Sequence, residues 1–383
     1  MQTNDLDQAL LRRLAALRAD RGKVLSLYLD LDPASFGTQP ARSSQISSLI
    51  DEADRRARES DLPHAERVAL RSDVARVREF LRGDFSAKGA HALALFACGP
   101  AGLFEALRLP TSTASALVIN DKPWLDPLIG HDRCRRALAL INRRTFRLFA
   151  DGPTGQLEEV IANADDVHGQ HDQGGWSQPR YQRSIEEDVR DHLKRSMQAL
   201  AAFHRQQPID LLAVAVVPER WSEVERALPP ELRERCLGRF DVDVEHAGAD
   251  EALAAARPLF DAAEERRVAQ LLERLHERLA RDGDRAVAGL QPVLSALDEH
   301  RVESLLYESG FHAPGVACLN CGWIGPEASA GDACPACGHR PERHANVLED
   351  AISSALLQSA HVVTLRDRPE LGPLGGIAAL LRF

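Results

Sequence analysis

Four cysteines constrain the chain more than any other feature. They stand as Cys318-Leu-Asn-Cys321-Gly-Trp and Cys334-Pro-Ala-Cys337-Gly-His, two Cys-x-x-Cys pairs twelve residues apart. Each pair can clamp one side of a tetrahedral ion, and Gly322 and Gly338 let the backbone N–H groups that follow turn towards the thiolates. Reduced cysteines without a metal would leave this Gly-rich segment almost no core of its own. Four thiolates fill a tetrahedron and leave no open position for water. The spacing therefore predicts a structural zinc ribbon at about 315–342, with Zn2+ on Cys318, Cys321, Cys334 and Cys337, rather than a catalytic metal. His312, His339 and His344 are then spare. Cys98, Cys134 and Cys236 are isolated, and this grouping suits a metal site in a reducing compartment better than a disulfide framework.

The length of 383 residues predicts two or three domains, and 44% hydrophobic with 27% charged residues is ordinary for a globular chain. No apolar run approaches membrane-spanning length, and the start, Met-Gln-Thr-Asn-Asp, has neither a basic cluster nor an apolar stretch. A cytoplasmic protein with no membrane partner is expected. A net charge of −10 argues against indiscriminate nucleic-acid binding, so any RNA contact must come from local basic patches. The cations are nearly all arginine, with lysine only at 23, 88, 122 and 194. Arginine suits bidentate phosphate contacts, although GC-rich coding alone produces the same skew.

Hydrophobic periodicity divides the chain into three α/β stretches. In residues 1–129 a helix at 6–18 leads to an alternating strand at 24–31, helices at 41–59 and 63–81, and strands at 92–96, 103–109 and 116–119. In residues 130–258 a hairpin turns at 143–145, a strand at 157–161 follows, and a long helix precedes the near-continuous apolar run 209–217. Such runs belong to strands buried on both faces. A short helix at 219–227 and an alternating strand at 240–246 close that stretch. Residues 259–383 read as helices at 264–282, 284–299 and 346–360, with strands at 302–308, 361–365 and 377–381. The fold class expected is α/β in three domains built on mixed sheets, the third an α/β sandwich carrying the inserted zinc ribbon.

The middle stretch holds a second distinctive segment. Residues 169–180 contain one large apolar side chain, Trp176, so the segment has little to bury and is expected to be an exposed loop. Gly174 and Gly175 let it bend, and Pro179 suits the first turn of the helix that follows. Glu186 with Arg190 and Asp191 with Arg195 are i,i+4 pairs in the favourable order. A polar Gly-Gly tip on a helical stem is built to reach into something.

The motif Gly174-Gly175-Trp176-Ser177-Gln178-Pro179-Arg180-Tyr181-Gln182-Arg183 resembles the Gly-Gly-Gln loop of archaeal and eukaryotic class-1 peptide chain release factors, where an Arg-Phe or Arg-Tyr pair opens a long helix. Arg301-Val-Glu-Ser-Leu-Leu-Tyr-Glu-Ser309 is similar to a strand of that family's third domain, and Gly375-Gly-Ile-Ala-Ala-Leu-Leu-Arg-Phe383 to its C-terminal strand. The resemblance points to the bacterial release-factor-like branch. It implies a ribosome-binding factor that hydrolyses the peptidyl-tRNA ester in ribosome rescue or peptide release. Its partners would be the ribosome, peptidyl-tRNA, ribosomal RNA and a translational GTPase.

Two departures matter. The family's codon-reading Asn-Ile-Lys-Ser should fall near 41–48, where this chain has Ala-Arg-Ser-Ser-Gln-Ile-Ser-Ser, so stop-codon reading is not implied. Trp176 stands where the family has Gln. The backbone N–H at Trp176 survives, and Gln178 could supply the amide, so Gly174, Gly175, Trp176 and Gln178 are the candidate catalytic residues. Arg180, Arg183, Arg190, Lys194 and Arg195 are candidate RNA contacts, or simply the solvated face of the stem. The Trp also favours a different reading, a non-enzymatic occupancy or hibernation factor. A metal-ribbon RNA-binding protein acting off the ribosome is a third. No P-loop, dinucleotide fingerprint or His-Glu-x-x-His occurs, so nucleotide hydrolysis and metalloprotease chemistry have no support.

Overall fold

Strict alternation of side chains builds the first sheet. The structure, a computed structural model, describes residues 8–19, 21–32, 39–83, 90–109, 111–130, 134–152, 156–164, 178–281, 285–366 and 368–383, with side chains for all of these but 39–42, 164 and 178–185. The first stretch runs α1 (Gln8–Ala16), β1 (Val24–Asp30), α2 (Gln39–Glu59), α3 (His64–Gly83), β2 (Ala92–Cys98), β3 (Leu103–Leu109) and β4 (Ala116–Asn120). The strands pair antiparallel in the order β3-β2-β1-β4. Leu25, Leu27 and Leu29 of β1 face Ile50, Ala53, Leu70, Val74 and Val77 of α2 and α3. Val24 and Tyr28 point the other way, into a cluster with Leu11 and Leu14 of α1.

The middle stretch runs β5 (Arg136–Ile141), β6 (Thr145–Asp151), β7 (Leu157–Ala164), α4 (Gln178–Gln206), β8 (Leu211–Ala215), α5 (Trp221–Ala227), α6 (Pro230–Arg233), β9 (Cys236–Phe240) and α7 (Ala249–Ala280). Its sheet is mixed, in the order β7-β6-β5-β8-β9, with β5, β8 and β9 parallel. The expected β5–β6 hairpin is fixed by Asn142, whose Oδ1 accepts from the N–H groups of Arg144 and Thr145 at 2.8 and 2.7 Å. Helix α4 lays Leu193, Met197 and Leu200 on one sheet face. Ala252, Ala256 and Phe260 of α7 cover the other.

The last stretch runs β10 (Ala286–Ala288), α8 (Leu290–Asp298), β11 (Val302–Glu308), β12 (Gly315–Ala317), β13 (Ile324–Pro326), β14 (Glu342–His344), α9 (Leu348–Leu357), β15 (His361–Leu365) and β16 (Ile377–Leu381). Its mixed sheet has the order β10-β16-β11-β15, with β11 parallel to β15. The crossover between those two strands carries the small antiparallel sheet β13-β12-β14 and then α9. One face of the mixed sheet packs Leu306, Val363 and Leu380 on Val268, Leu272 and Leu275 of α7. The α/β class, the mixed sheets and the inserted four-cysteine ribbon are as expected.

Three elements differ from their sequence reading. Residues 241–246 alternate like a strand but form turns, because the Asp243 carboxylate accepts from the N–H groups of Glu245 and His246 at 2.9 and 3.2 Å. The strand lies just upstream at β9. Residues 286–288, expected inside a helix, are strand β10, which completes the sheet edge against Ala378–Leu380. The helix expected at 264–282 begins at Ala249 and runs through Pro258. An internal proline costs about 3 kcal/mol, and burial of Ala252, Ala256 and Phe260 at helical spacing offsets it.

Residues 1–132 and 268–383 group as one compact unit and 133–267 as another. Within the first unit the second face of the first sheet, through Tyr28, Ala94 and Phe96, shares a core with Val293, Leu297, Leu305, Ile352 and Leu356. Polar groups stitch this seam. Tyr28 donates to the Trp124 carbonyl at 2.6 Å and Tyr307 to Asp126 at 2.5 Å, while the Leu125 N–H donates to Glu349 at 3.2 Å. Lys122 and His344 both hold Asp350, at 2.5 and 2.6 Å.

Burial, then the charge of Asp126, pushes the Glu349 carboxyl up to about 8. A carboxyl with a raised folded-state pKa stabilises the fold below its ordinary value near 4.5 and loses that contribution as pH rises towards 8. His344, raised by its bond to Asp350, acts in the same direction. Urea unfolding of the wild type is therefore expected to weaken between pH 5 and 8.5, by at most about 5 kcal/mol from Glu349. Glu349→Gln, which keeps the acceptor for Leu125, should flatten most of that slope. An unchanged slope in the variant would show that Glu349 does not titrate in this window.

Candidate metal centre and loop stem

The ribbon is two copies of one backbone turn. The Cys318 carbonyl accepts from the Gly322 N–H at 2.9 Å, and the Cys334 carbonyl from the Gly338 N–H at 2.8 Å. The Cys318 N–H donates to the Trp323 carbonyl at 2.7 Å and the Cys334 N–H to the His339 carbonyl at 2.8 Å. Each turn closes only with a residue at positive φ. Gly322 has φ 81° and Gly338 has φ 77°, a region that costs other residues about 1–2 kcal/mol.

These turns bring the four predicted cysteines together. All four Sγ atoms lie within 4.8 Å of one another, with Cys318 and Cys337 at 3.4 Å and Cys321 and Cys334 at 3.5 Å. A tetrahedron with metal–sulfur bonds of about 2.3 Å has edges of roughly 3.8 Å, so the donor set fits a tetrahedral dication. The backbone N–H of His339 and then the Asn320 side chain pull the Cys337 thiol down, while burial pushes that of Cys321 up. Cys318 and Cys334 are buried, and no histidine joins the cluster. His344 is instead committed to Asp350. A closed sulfur shell holds a fold together and offers no position for substrate.

Of the loop residues, Gly174, Gly175 and Trp176 lie outside the described residues. Gln178 opens helix α4, and its side chain and those of Arg180 and Arg183 are likewise outside. The stem itself is well placed. Val189, His192, Leu193, Ser196, Met197 and Leu200 form its buried stripe at helical spacing. Arg190 and Lys194, one turn apart and exposed, border a shallow groove of about 380 Å³ that Met197, Ala227 and Pro229 floor. Arg195 is exposed and does not line that groove. The structure thus pairs two of the five predicted cations on one face.

Sequence reading missed the Lys122–Asp350–His344 triad. Lys122 is one of only four lysines, but it is separated from its partner by more than half the chain, and no local pattern marks such a contact. Among the described residues no helix is long and apolar enough to cross a membrane.

Residues 123–261 match the family model for Bacterial archaeo-eukaryotic release factor family 10. That match takes in the Gly-Gly segment, α4 and the middle sheet. No curated protein matches the chain. Solved structures similar to it include an archaeal translation termination factor, aRF1, with 17% identity over 99% of each chain and a TM-score of 0.27. Another is the Pelota of Archaeoglobus fulgidus, with 17% identity over 78% of this chain and 80% of that one and a TM-score of 0.35. A third is Dom34 of S. cerevisiae, described as a translation termination-like factor that interacts with Hbs1, with 11% identity over 74% of each chain and a TM-score of 0.40.

The geometry of the two turns sets a test of the metal centre. Gly338→Ala adds a Cβ that meets nothing within 4 Å, so its only penalty is the left-handed backbone. It is expected to weaken metal retention roughly tenfold, read by competition with a chromophoric chelator. Retention equal to wild type would show that the second turn tolerates a different backbone without losing its thiolate geometry.

Proposed function

We propose that this chain, with its release-factor-type central unit of the bacterial branch, works on the ribosome and presents the Gly174–Gln178 tip to the ester of peptidyl-tRNA. The observation that carries this reading is the family match over 123–261, which coincides with the Gly-Gly motif at the head of a helix anchored on a mixed sheet. Hydrolysis of peptidyl-tRNA on stalled ribosomes is the activity that fits the motif. The ester is already labile, so the tip need only admit and orient one water. The N–H at Trp176 would face the developing oxyanion and Gln178 would supply the amide. Arg180, Arg183, Arg190, Lys194 and Arg195 would meet phosphates along the stem. A cytoplasmic location and a translational GTPase partner belong to the same proposal.

The ribbon's metal we assign as zinc, the dication that structural ribbons with four cysteine thiolates hold. One equivalent of zinc is expected in freshly purified protein. Protein without it, whose four thiols all react freely, would remove the assignment.

The release assay uses ribosomes that hold peptidyl-tRNA beside an empty decoding site. Wild type should release peptide, Gly175→Ala should abolish release while ribosome binding persists, and Gln178→Ala should slow it roughly 10- to 1000-fold. Trp176 in the place of the family's Gln favours one other reading, a non-enzymatic occupancy or hibernation factor. Wild-type protein that sediments with ribosomes but releases nothing above buffer would decide for it, with Trp176 then stacking on RNA. Absence from the ribosomal fraction under every stress condition would sink both.

A further inference from the structure

The metal ribbon is wired into the part of the fold furthest from it in sequence. Leu319 lies inside the first knuckle, between Cys318 and Cys321, and its carbonyl accepts from the Arg18 guanidinium at the end of the first helix at 2.8 Å. His344 closes the third ribbon strand and holds Asp350 at 2.6 Å. The other oxygen of Asp350 takes Lys122 at 2.5 Å, just after the last strand of the first sheet. Ile324 of the second ribbon strand, β13, sits in the same core as Leu11, Leu14, Tyr28 and Phe96. These contacts are discrete. Between them lies a cleft of about 440 Å³ walled by Leu17, Arg18, Leu297, Trp323 and Leu357, so the ribbon meets the N-terminal segment through a few polar ties and one apolar plug.

We propose that the loaded ribbon is a clasp on this seam: metal occupancy sets how firmly residues 8–19 and 116–130 are held against the C-terminal part of the same unit. The inference rests on the metal assignment above and goes beyond it. The ribbon has three short strands of three residues each, too few to hold their register without the thiolate cross-link. When the cross-link goes, the Leu319 carbonyl and the His344 ring lose their fixed positions. Asp350 is 3% exposed, and a buried carboxylate stripped of one of its two cationic partners is strongly disfavoured. It regains solvation only if the seam opens around Lys122. The shared apolar core does not depend on the metal, so the response is local opening at the seam rather than separation of the two segments.

Amide hydrogen exchange on the full chain tests this, with bound metal measured in each sample. Stripping the metal with a chelator is expected to speed exchange at least about tenfold in 8–19 and 116–130, while strands 136–141 and 211–215 of the other unit stay unchanged. His344→Ala and Arg18→Gln leave all four thiols in place. Each should keep one equivalent of metal and still loosen the same two segments, and the rim variant Arg18→Gln serves if His344→Ala fails to fold. Stripped protein whose 8–19 and 116–130 stay fully protected while 315–344 opens would overturn the clasp and leave the metal assignment standing. Purified protein that carries no metal overturns both.

Discussion

The fold hangs on the second face of the first sheet. Strands β1 and β2 are apolar on both sides, with Leu25, Leu27 and Leu95 turned to one core and Tyr28, Ala94 and Phe96 to another. Helices α2 and α3 cover the first side. From its own segment the second has α1, a helix of nine residues, and the short stretch of Trp124, Leu125, Leu128 and Ile129, which together leave much of a four-stranded sheet to be covered. Leaving side chains such as Tyr28 and Phe96 in water forgoes about 1.5–3 kcal/mol each, a large share of a typical domain's net stability. Helices α8 and α9 supply the missing cover from the far end of the chain. The N-terminal and C-terminal stretches are thereby obliged to fold as one unit, with 133–267 inserted between them in sequence.

That dependence explains what could be read in advance and what could not. Strands β3, β11, β15 and β16 were legible to the residue because their apolar runs are bounded by turn-forming Gly, Pro or charged residues. Errors arose where one local signal imitated another. Val242 and Val244 alternate like a strand yet are partly buried in turns that Asp243 stabilises. The helix expected to start at 264 extends back to Ala249, and Pro258 sits on the exposed side of it, where a lost N–H bond costs less than the buried stripe returns. The seam was invisible for a deeper reason: an amphipathic pattern says that α1 and α9 bury one face, and never against which sheet. The four-cysteine centre, by contrast, was fully legible, because thiolate spacing and the glycines after each pair encode its geometry locally.

The seam also shows environment overriding residue type. Glu349 and Asp350 are neighbours in α9, but their surroundings push their acidities in opposite directions. Asp350 would be raised by its burial, yet His344 and Lys122 more than compensate and hold it below the usual carboxylate range. Glu349 accepts from the Leu125 N–H and the Trp124 side chain, but burial and then the charge of Asp126 outweigh them, so its carboxyl goes up to about 8. Tyr28 and Tyr307 are driven further from ionisation by burial and by these same acids, which keeps both hydroxyls available as donors. A neutral Glu349 beside an ionised Asp350 lets the seam carry acids without accumulating charge. A buried pair of like charges would otherwise cost more than the surrounding hydrogen bonds return.

Chemistry and rigidity are kept in different places. A dication on the four thiolates would have no open coordination position, so it would organise the C-terminal stretch without activating a substrate. The seam's carboxylates are enclosed and already partnered. The mechanics of α4 follow from where the helix is fixed. The buried stripe from Val189 to Leu200 clamps the helix to its sheet, and at 1.5 Å per residue Gln178 lies about 16 Å further along the axis. A helix held over three turns transmits its orientation to its N-terminal end with little freedom to tilt. Partial positive charge at that end is accompanied by Arg190 and Lys194 along one face, with the exposed Glu186, Glu187 and Asp191 on the same stretch of helix. On a chain of net charge −10, a pair of cations set side by side on one helix face is the kind of local feature through which an anionic partner would be met.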